Sequence, residues 1–253
     1  MKKNLLMAAT LTCCCTSLFA QPPDLAGGPA SGDMMQVLSQ AINRGPNESK
    51  TWYNRGLYLS RQKQYQQAIA DYTKAIELEP AFFMAYLNRG ADKDALTDFS
   101  GAVQDYTKAI QLHPDYGKAW YNRGNAWYQL NLYDSAIADY SIAINYEPWN
   151  ADAWFNRAMA KSKKEDYRGA IDDFVKVLKK QHDYSKVYKN RAAVFVKMGR
   201  YAEALRDYQE WLKIYPDDVE TIAKSKETET LLAQTKKVAG DSTVVIGKKR
   251  KPE

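Results

Sequence analysis

The sequence predicts an all-α solenoid of stacked helix–turn–helix units, and three observations predict it. Pro46, Pro80, Pro114, Pro148 and Pro216 fall on one 34-residue grid whose missing member is His182. Between the prolines, Trp52-Tyr53-Asn54-Arg55-Gly56 returns as Tyr86-Leu87-Asn88-Arg89-Gly90, Trp120-Tyr121-Asn122-Arg123-Gly124, Trp154-Phe155-Asn156-Arg157-Ala158 and Tyr188-Lys189-Asn190-Arg191-Ala192. Asp71-Tyr72-Thr73-Lys74-Ala75-Ile76 returns at 105–110, 139–144, 173–178 and 207–212. A period of about 20–50 residues marks units that cannot bury an apolar face alone and must stack to do so.

The elements follow in order. Residues 1–20 read as an export signal: Lys2-Lys3 is a basic start, residues 5–20 are apolar or small, and Leu18-Phe19-Ala20 precedes Gln21 as a cleavage site. The apolar run is too short for a membrane span. All three cysteines, Cys13, Cys14 and Cys15, lie inside it, so cleavage leaves a chain without thiols or disulfides. A rival reading makes Leu11-Thr12-Cys13-Cys14 a lipoprotein box with the lipid on Cys14, although Cys13 stands where a small residue is usual.

Residues 21–33, with Pro22, Pro23, Gly27, Gly28, Pro29 and Gly32, form a flexible leader. The first folded element is expected near Met34. Residues 39–46 parallel 73–80, which places an orphan second helix (34–48) ahead of the first full unit. Five units follow at 49–82, 83–116, 117–150, 151–184 and 185–218, each with two helices. The fourth residue of each is Trp52, Tyr86, Trp120, Trp154 or Tyr188. The eighth is Gly56, Gly90, Gly124, Ala158 or Ala192, small enough for helices to approach closely. The twentieth is always Ala, and the twenty-fourth is Tyr72, Tyr106, Tyr140, Phe174 or Tyr208, one turn further along the same face. Residues 219–239 are expected to cap the stack, with Val219, Ile222 and Ala223 covering unit five. Residues 240–253 are expected to be disordered.

This pattern resembles the tetratricopeptide repeat family over residues 34 to about 218. The resemblance implies an all-α, right-handed α-solenoid of stacked helix–turn–helix repeats, with an N-terminal half-repeat, a C-terminal capping helix and a concave groove that holds a protein or peptide. The eleventh residue should then be large and apolar, as Leu59, Trp127 and Phe195 are, but units two and four carry Lys93 and Lys161. With Asp92 and Asp94 beside Lys93, the first helix of unit two is expected to be the least stable. Trp211 stands where a small residue is usual, which fits a last unit packed on a different helix.

Formal net charge is +6, matched by the six basic residues at the two ends (Lys2, Lys3, Lys248, Lys249, Arg250, Lys251), so the stack itself is balanced. A nucleic-acid binder should instead carry its basic residues on a folded face. The tail Lys248-Lys249-Arg250-Lys251 reads as solvated, or as a weak contact to an anionic surface. Nothing points to catalysis or a cofactor. His113 and His182 occupy turns 69 residues apart. Adjacent carboxylates such as Asp172-Asp173 and Asp217-Asp218 point apart on a helix, and the glycines do not follow a strand. The expectation is a non-enzymatic chain.

Two polar ladders remain. Arg55, Arg89, Arg123, Arg157 and Arg191 occupy a position where the family more often has Leu, and Asp71, Asp105, Asp139, Asp173 and Asp207 repeat in step with them. Five matched opposite charges suggest pairing between neighbouring helices, with each planar guanidinium bonding a carboxylate twice. The second ladder is Asn54, Asn88, Asn122, Asn156 and Asn190. In the family this position lines the groove, where Asn can bond a peptide backbone whatever its side chains, as in the glycosyltransferase that attaches N-acetylglucosamine to proteins. The alternative is that these side chains bond adjacent helices.

Further groove positions implied by the resemblance are Lys50, Tyr53 and Leu57; Met84, Leu87 and Ala91; Lys118, Tyr121 and Asn125; Asp152, Phe155 and Met159; and Lys186, Lys189 and Ala193. They form an aromatic and apolar floor with positive charge toward the C-terminal end, near Lys197. Such a floor suits a peptide with apolar side chains and one acidic end. The carboxylate clamp of some co-chaperones is not reproduced, since Tyr53 and Leu57 stand at its first positions and Asn122 stands where Lys118 would need an Arg. The expected function is a protein-binding scaffold, periplasmic or secreted. The alternatives are a structural subunit of an envelope assembly using convex or end surfaces, and a cytosolic or nuclear adaptor if residues 1–20 are retained.

Overall fold

The computed structural model describes residues 31–246, with side chains described within 34–237. The expected export signal (1–20), most of the expected leader and the basic tail lie outside the described residues. Twelve α-helices follow one another among the described residues: α1 Ser31–Arg44, α2 Ser49–Arg61, α3 Tyr65–Leu78, α4 Phe83–Ala95, α5 Phe99–Leu112, α6 Gly117–Gln129, α7 Tyr133–Tyr146, α8 Ala151–Lys163, α9 Tyr167–Lys180, α10 Lys186–Lys197, α11 Tyr201–Ile214 and α12 Val219–Ile246. From α2 onward they pair as hairpins, α2 with α3 through α10 with α11, and each second helix packs on the first helix of the next unit. Successive first helices (α2, α4, α6, α8, α10) also touch one another, which places them on the inside of the curve.

Both ends run longer than the sequence pattern suggests. Helix α1 starts at Ser31 rather than near Met34, and α12 continues to Ile246 rather than stopping at 239. Residues 240–246 contain no proline, and an established helix gains one hydrogen bond per added residue.

Within each unit the core repeats. Ala68, Ala102, Ala136, Ala170 and Ala204 are fully buried, and Tyr72, Tyr106, Tyr140, Phe174 and Tyr208 pack beside them. The ring from the second helix presses on the eighth residue of the first. A Cβ at Gly56, Gly90 or Gly124 would sit 2.8–2.9 Å from the ring of Tyr72, Tyr106 or Tyr140.

The turn inside every unit has one form. Its fifteenth residue has a left-handed backbone: Lys63, Thr97, Asn131, Glu165 and Gly199 have φ between 60° and 71°. In unit one the N–H of Lys63 bonds the carbonyl of Ser60 and the N–H of Gln64 bonds that of Leu59, and the same pair of bonds recurs in all five units. This is the helix-ending motif in which two terminal carbonyls are satisfied by the residues just past the end. The recurrent proline also has a partner. Trp52, Trp120 and Trp154 donate their indole N–H to the carbonyls of Pro46, Pro114 and Pro148 at 2.8, 2.8 and 3.2 Å, tying each first helix to the preceding turn.

At the C-terminal end, Asp218 organises the cap. Its carboxylate accepts from Trp211 Nε1 (2.7 Å), Lys189 Nζ (3.1 Å), the Thr221 N–H (3.2 Å) and the Thr221 hydroxyl (2.9 Å). Those bonds turn Thr221 inward, so Thr221 and Thr228 are the buried side chains of α12 among its residues up to 237, while Val219 and Ala223 are exposed and Ile222 is half-buried. The expected cover by Val219, Ile222 and Ala223 is thus replaced by a polar one, because the N-terminal cap sets the helix register.

Candidate functional site

The arginine and aspartate ladders meet inside each unit. Arg55 Nε and Nη2 bond the two oxygens of Asp71 at 2.7 and 2.8 Å, and the same two-pronged contact joins Arg89 to Asp105, Arg123 to Asp139, Arg157 to Asp173 and Arg191 to Asp207. The guanidinium groups of Arg55, Arg89, Arg123 and Arg157 also lie over the rings of Trp52, Tyr86, Trp120 and Trp154. Nη1 of Arg89, Arg123 and Arg157 reaches the hydroxyls of Thr73, Thr107 and Ser141 in the preceding unit, at 3.0, 3.0 and 2.9 Å. Lys93 and Lys161, misfits by the family pattern, add a second cation to Asp105 and Asp173, each at 2.8 Å. Every one of these charges is consumed within the fold, so the lattice is structural.

The asparagine ladder divides. Asn88 donates to the Tyr53 hydroxyl at 2.9 Å, and Asn156 donates to the Tyr121 hydroxyl (3.1 Å) and to Asn125 Oδ1 (2.9 Å), which also accepts from Tyr140. Asn190 donates to the carbonyl of Lys186 in its own helix. The rule is simple: an Asn bonds the fifth residue of the preceding unit where that residue is Tyr. Leu87 and Phe155 have no hydroxyl, so Asn122 and Asn190 find no such partner. Asn122, 9% exposed, makes no side-chain hydrogen bond among the described residues, and neither does exposed Asn54.

The remaining groove positions are unequal. Leu87 (2% exposed) and Phe155 (7%) belong to the core more than to the surface. Lys186 and Lys50 are exposed, whereas Lys118 is half-buried and burial, partly offset by Glu147, lowers its pKa. Lys189 bonds Asp218 and Glu220 (2.8 Å), so the C-terminal end of the groove is less positive than its lysine count suggests. Sequence reasoning missed the last residue of each unit. Phe82 packs at a tilt against Tyr53 with ring centres 4.7 Å apart, Tyr184 likewise against Phe155 at 5.2 Å, and Asp218 meets Lys189, so these residues lie beside the fifth position. The 34-residue period was the available signal, since all three occupy one grid position.

Profiles of the tetratricopeptide repeat match residues 49–82 and 185–218, 87–153, and 151–179. The chain belongs to the tetratricopeptide repeat family. Comparison with curated proteins gives no match. Among solved structures, YrrB, described as a TPR protein with an unusual peptide-binding site, superposes with a TM-score of 0.68 at 19% identity, covering 76% of this chain and 99% of that one. MamA (41-end) from Desulfovibrio magneticus RS-1 superposes with a TM-score of 0.64 at 16% identity, covering 68% and 97%. At these identities the likeness is one of fold. Tetratricopeptide repeats generally act as interaction scaffolds rather than catalysts, and no group of His, Cys, Asp and Glu that could hold a metal occurs among the described residues. No helix among them is long and apolar enough to cross a membrane.

Proposed function

We propose that this chain is an exported, non-enzymatic scaffold that holds an extended segment of a partner protein along the faces of α2, α4, α6, α8 and α10. The observation that carries the reading is Asn122. It lies at the middle of the first-helix face, carries both a donor and acceptors, and bonds none of the described residues, while its neighbours Asn88 and Asn156 are latched to tyrosines. A ligand backbone can take up its amide. The hydroxyls of Tyr53 and Tyr121, the half-buried Lys118 and the exposed Lys186 flank it, with Leu87 and Phe155 beneath and Asn54, Asn125, Asn190 and Lys189 completing the lining. The peptide-binding site ascribed to YrrB supports a groove of this fold in that role. Lys2-Lys3, the apolar run and Ala20 support export to the periplasm or beyond, with lipid attachment at Cys14 as the competing processing route. The tail Lys248-Lys249-Arg250-Lys251 would add a weak contact to an anionic surface, with no role for nucleic acid.

A second reading, a structural subunit of an envelope assembly held by its edges, draws on Trp149. That side chain is 72% exposed beside exposed Tyr146 in the turn between units three and four. One experiment separates the two. Affinity capture and crosslinking from the host envelope should recover a partner with the wild-type chain and lose it with Asn122→Ala at unchanged helicity. A partner retained by Asn122→Ala but lost by Trp149→Ala places function on the edge. Sequencing the mature N-terminus should find Gln21; a start at Met1 would remove the export reading.

A further inference from the structure

The tenth residue of the other units is Tyr58, Ala126, Ala160 or Val194, and unit two places Asp92 there. Asp92 is 3% exposed. Its Oδ1 accepts the hydroxyl of Ser60 from α2 at 2.6 Å, while its Oδ2 is buried and bonded to none of the described residues. No cation among the described residues forms an ion pair with it. Lys93 and Arg89 are both committed to Asp105 on α5, and the charge of Arg61 on α2 acts on Tyr72. On its own helix, Asp94 accepts the hydroxyl of Tyr106 from α5, and α6 presents Ala126 at the equivalent position.

We propose that Asp92 is a proton-controlled joint between units one and two, which grips α2 against α4 when protonated and loosens that contact when ionised. The protonated group has an O–H to donate and no charge to desolvate. The ionised group is an unpaired carboxylate beside an aromatic ring, and such a charge draws in water or pushes its wall apart. Asn88 lies one turn earlier on α4 and donates to Tyr53 on α2, so loosening reaches the first rungs of the proposed groove. Burial pushes the Asp92 carboxyl up to about 7, with the Ser60 hydroxyl opposing. The folded protein therefore holds this proton more tightly than the unfolded chain, and the stabilisation present in acid is lost as pH rises from about 4 to about 7.

Hydrogen exchange on the full chain tests the joint. After correction for intrinsic rates, the opening constant of amides in α2 and α4 should rise more than about tenfold between about pH 5 and about pH 7.5 in wild type, and change less than about twofold in Asp92→Asn. Ser60→Ala should move the wild-type transition to higher pH. Equal pH dependence in wild type and Asp92→Asn overturns the proposal. Should Asp92→Asn fail to fold, infrared spectroscopy of wild type decides: a protonated carboxyl band must persist near pH 6 and vanish by about pH 8, and its absence near pH 6 overturns the proposal equally. Neither readout involves a partner, so failure of the groove reading leaves this test intact.

Discussion

Single residues in this chain act as members of a lattice. Arg123 touches Asp139, Thr107 and the ring of Trp120 at once, so Arg123→Asp should cost about 3 kcal/mol or more, by chemical denaturation, because it leaves a half-buried carboxylate facing another. Adding Asp139→Arg should recover part of the loss; no recovery would mean that the contact to Trp120 outweighs the ion pair. Gly124→Val should cost about 1–3 kcal/mol, since its Cβ would press into the Tyr140 ring. Gly124→Ala should cost less, because Ala158 and Ala192 occupy the same position in units four and five. At this scale the sequence was partly readable. Matched recurrence of Arg and Asp predicts a pair, and the structure contains it. The division of the asparagines was not readable from their own recurrence, because it depends on whether the fifth residue of the preceding unit carries a hydroxyl.

Among the elements, the turn within each unit is the most regular and the least visible in the sequence. Its left-handed residue is Lys, Thr, Asn, Glu or Gly in turn, so residue type carried no signal. The two carbonyls bonded by the turn compensate for backbone strain of about 1–2 kcal/mol in the non-glycine cases. Thr97 is β-branched and pays most of that cost. Thr97→Gly should raise stability by about 1 kcal/mol, measured as a shift in thermal midpoint, whereas Gly199→Val should lower it. Helix α4 carries charges whose partners lie outside it. Asp92, Lys93 and Asp94 look disruptive within one helix, yet each finds a partner on one of two neighbouring helices: Ser60 on α2, and Asp105 and Tyr106 on α5. The register of α12 was obscured for a related reason, since its fixing contacts run from Asp218 back to Trp211 and Lys189 in unit five.

For the molecule as a whole, the period predicts the class of fold and the number of hairpins, and the structure contains both. Ending the chain after Pro216 should strip Trp211 and Tyr208 of their cover and release Lys189 from both of its carboxylates. Circular dichroism should then show helix loss beyond that of α12, with hydrogen-exchange protection falling in α10 and α11 and surviving in α4 to α7. Protection lost evenly along the chain would show that the stack melts as one unit rather than neighbour by neighbour.

The hydroxyl bridges between units have a mechanical consequence. Arg89, Arg123 and Arg157 each reach back to a hydroxyl, but the residue facing Arg191 is Val175, and the turn there carries His182 in place of proline. A solenoid pulled from its ends bears the load in series, so its weakest seam sets its strength. Among the seams between full units, the one without a hydroxyl bridge lies between units four and five. In single-molecule stretching the last hairpin should detach first, and Val175→Thr should raise the force at which it lets go.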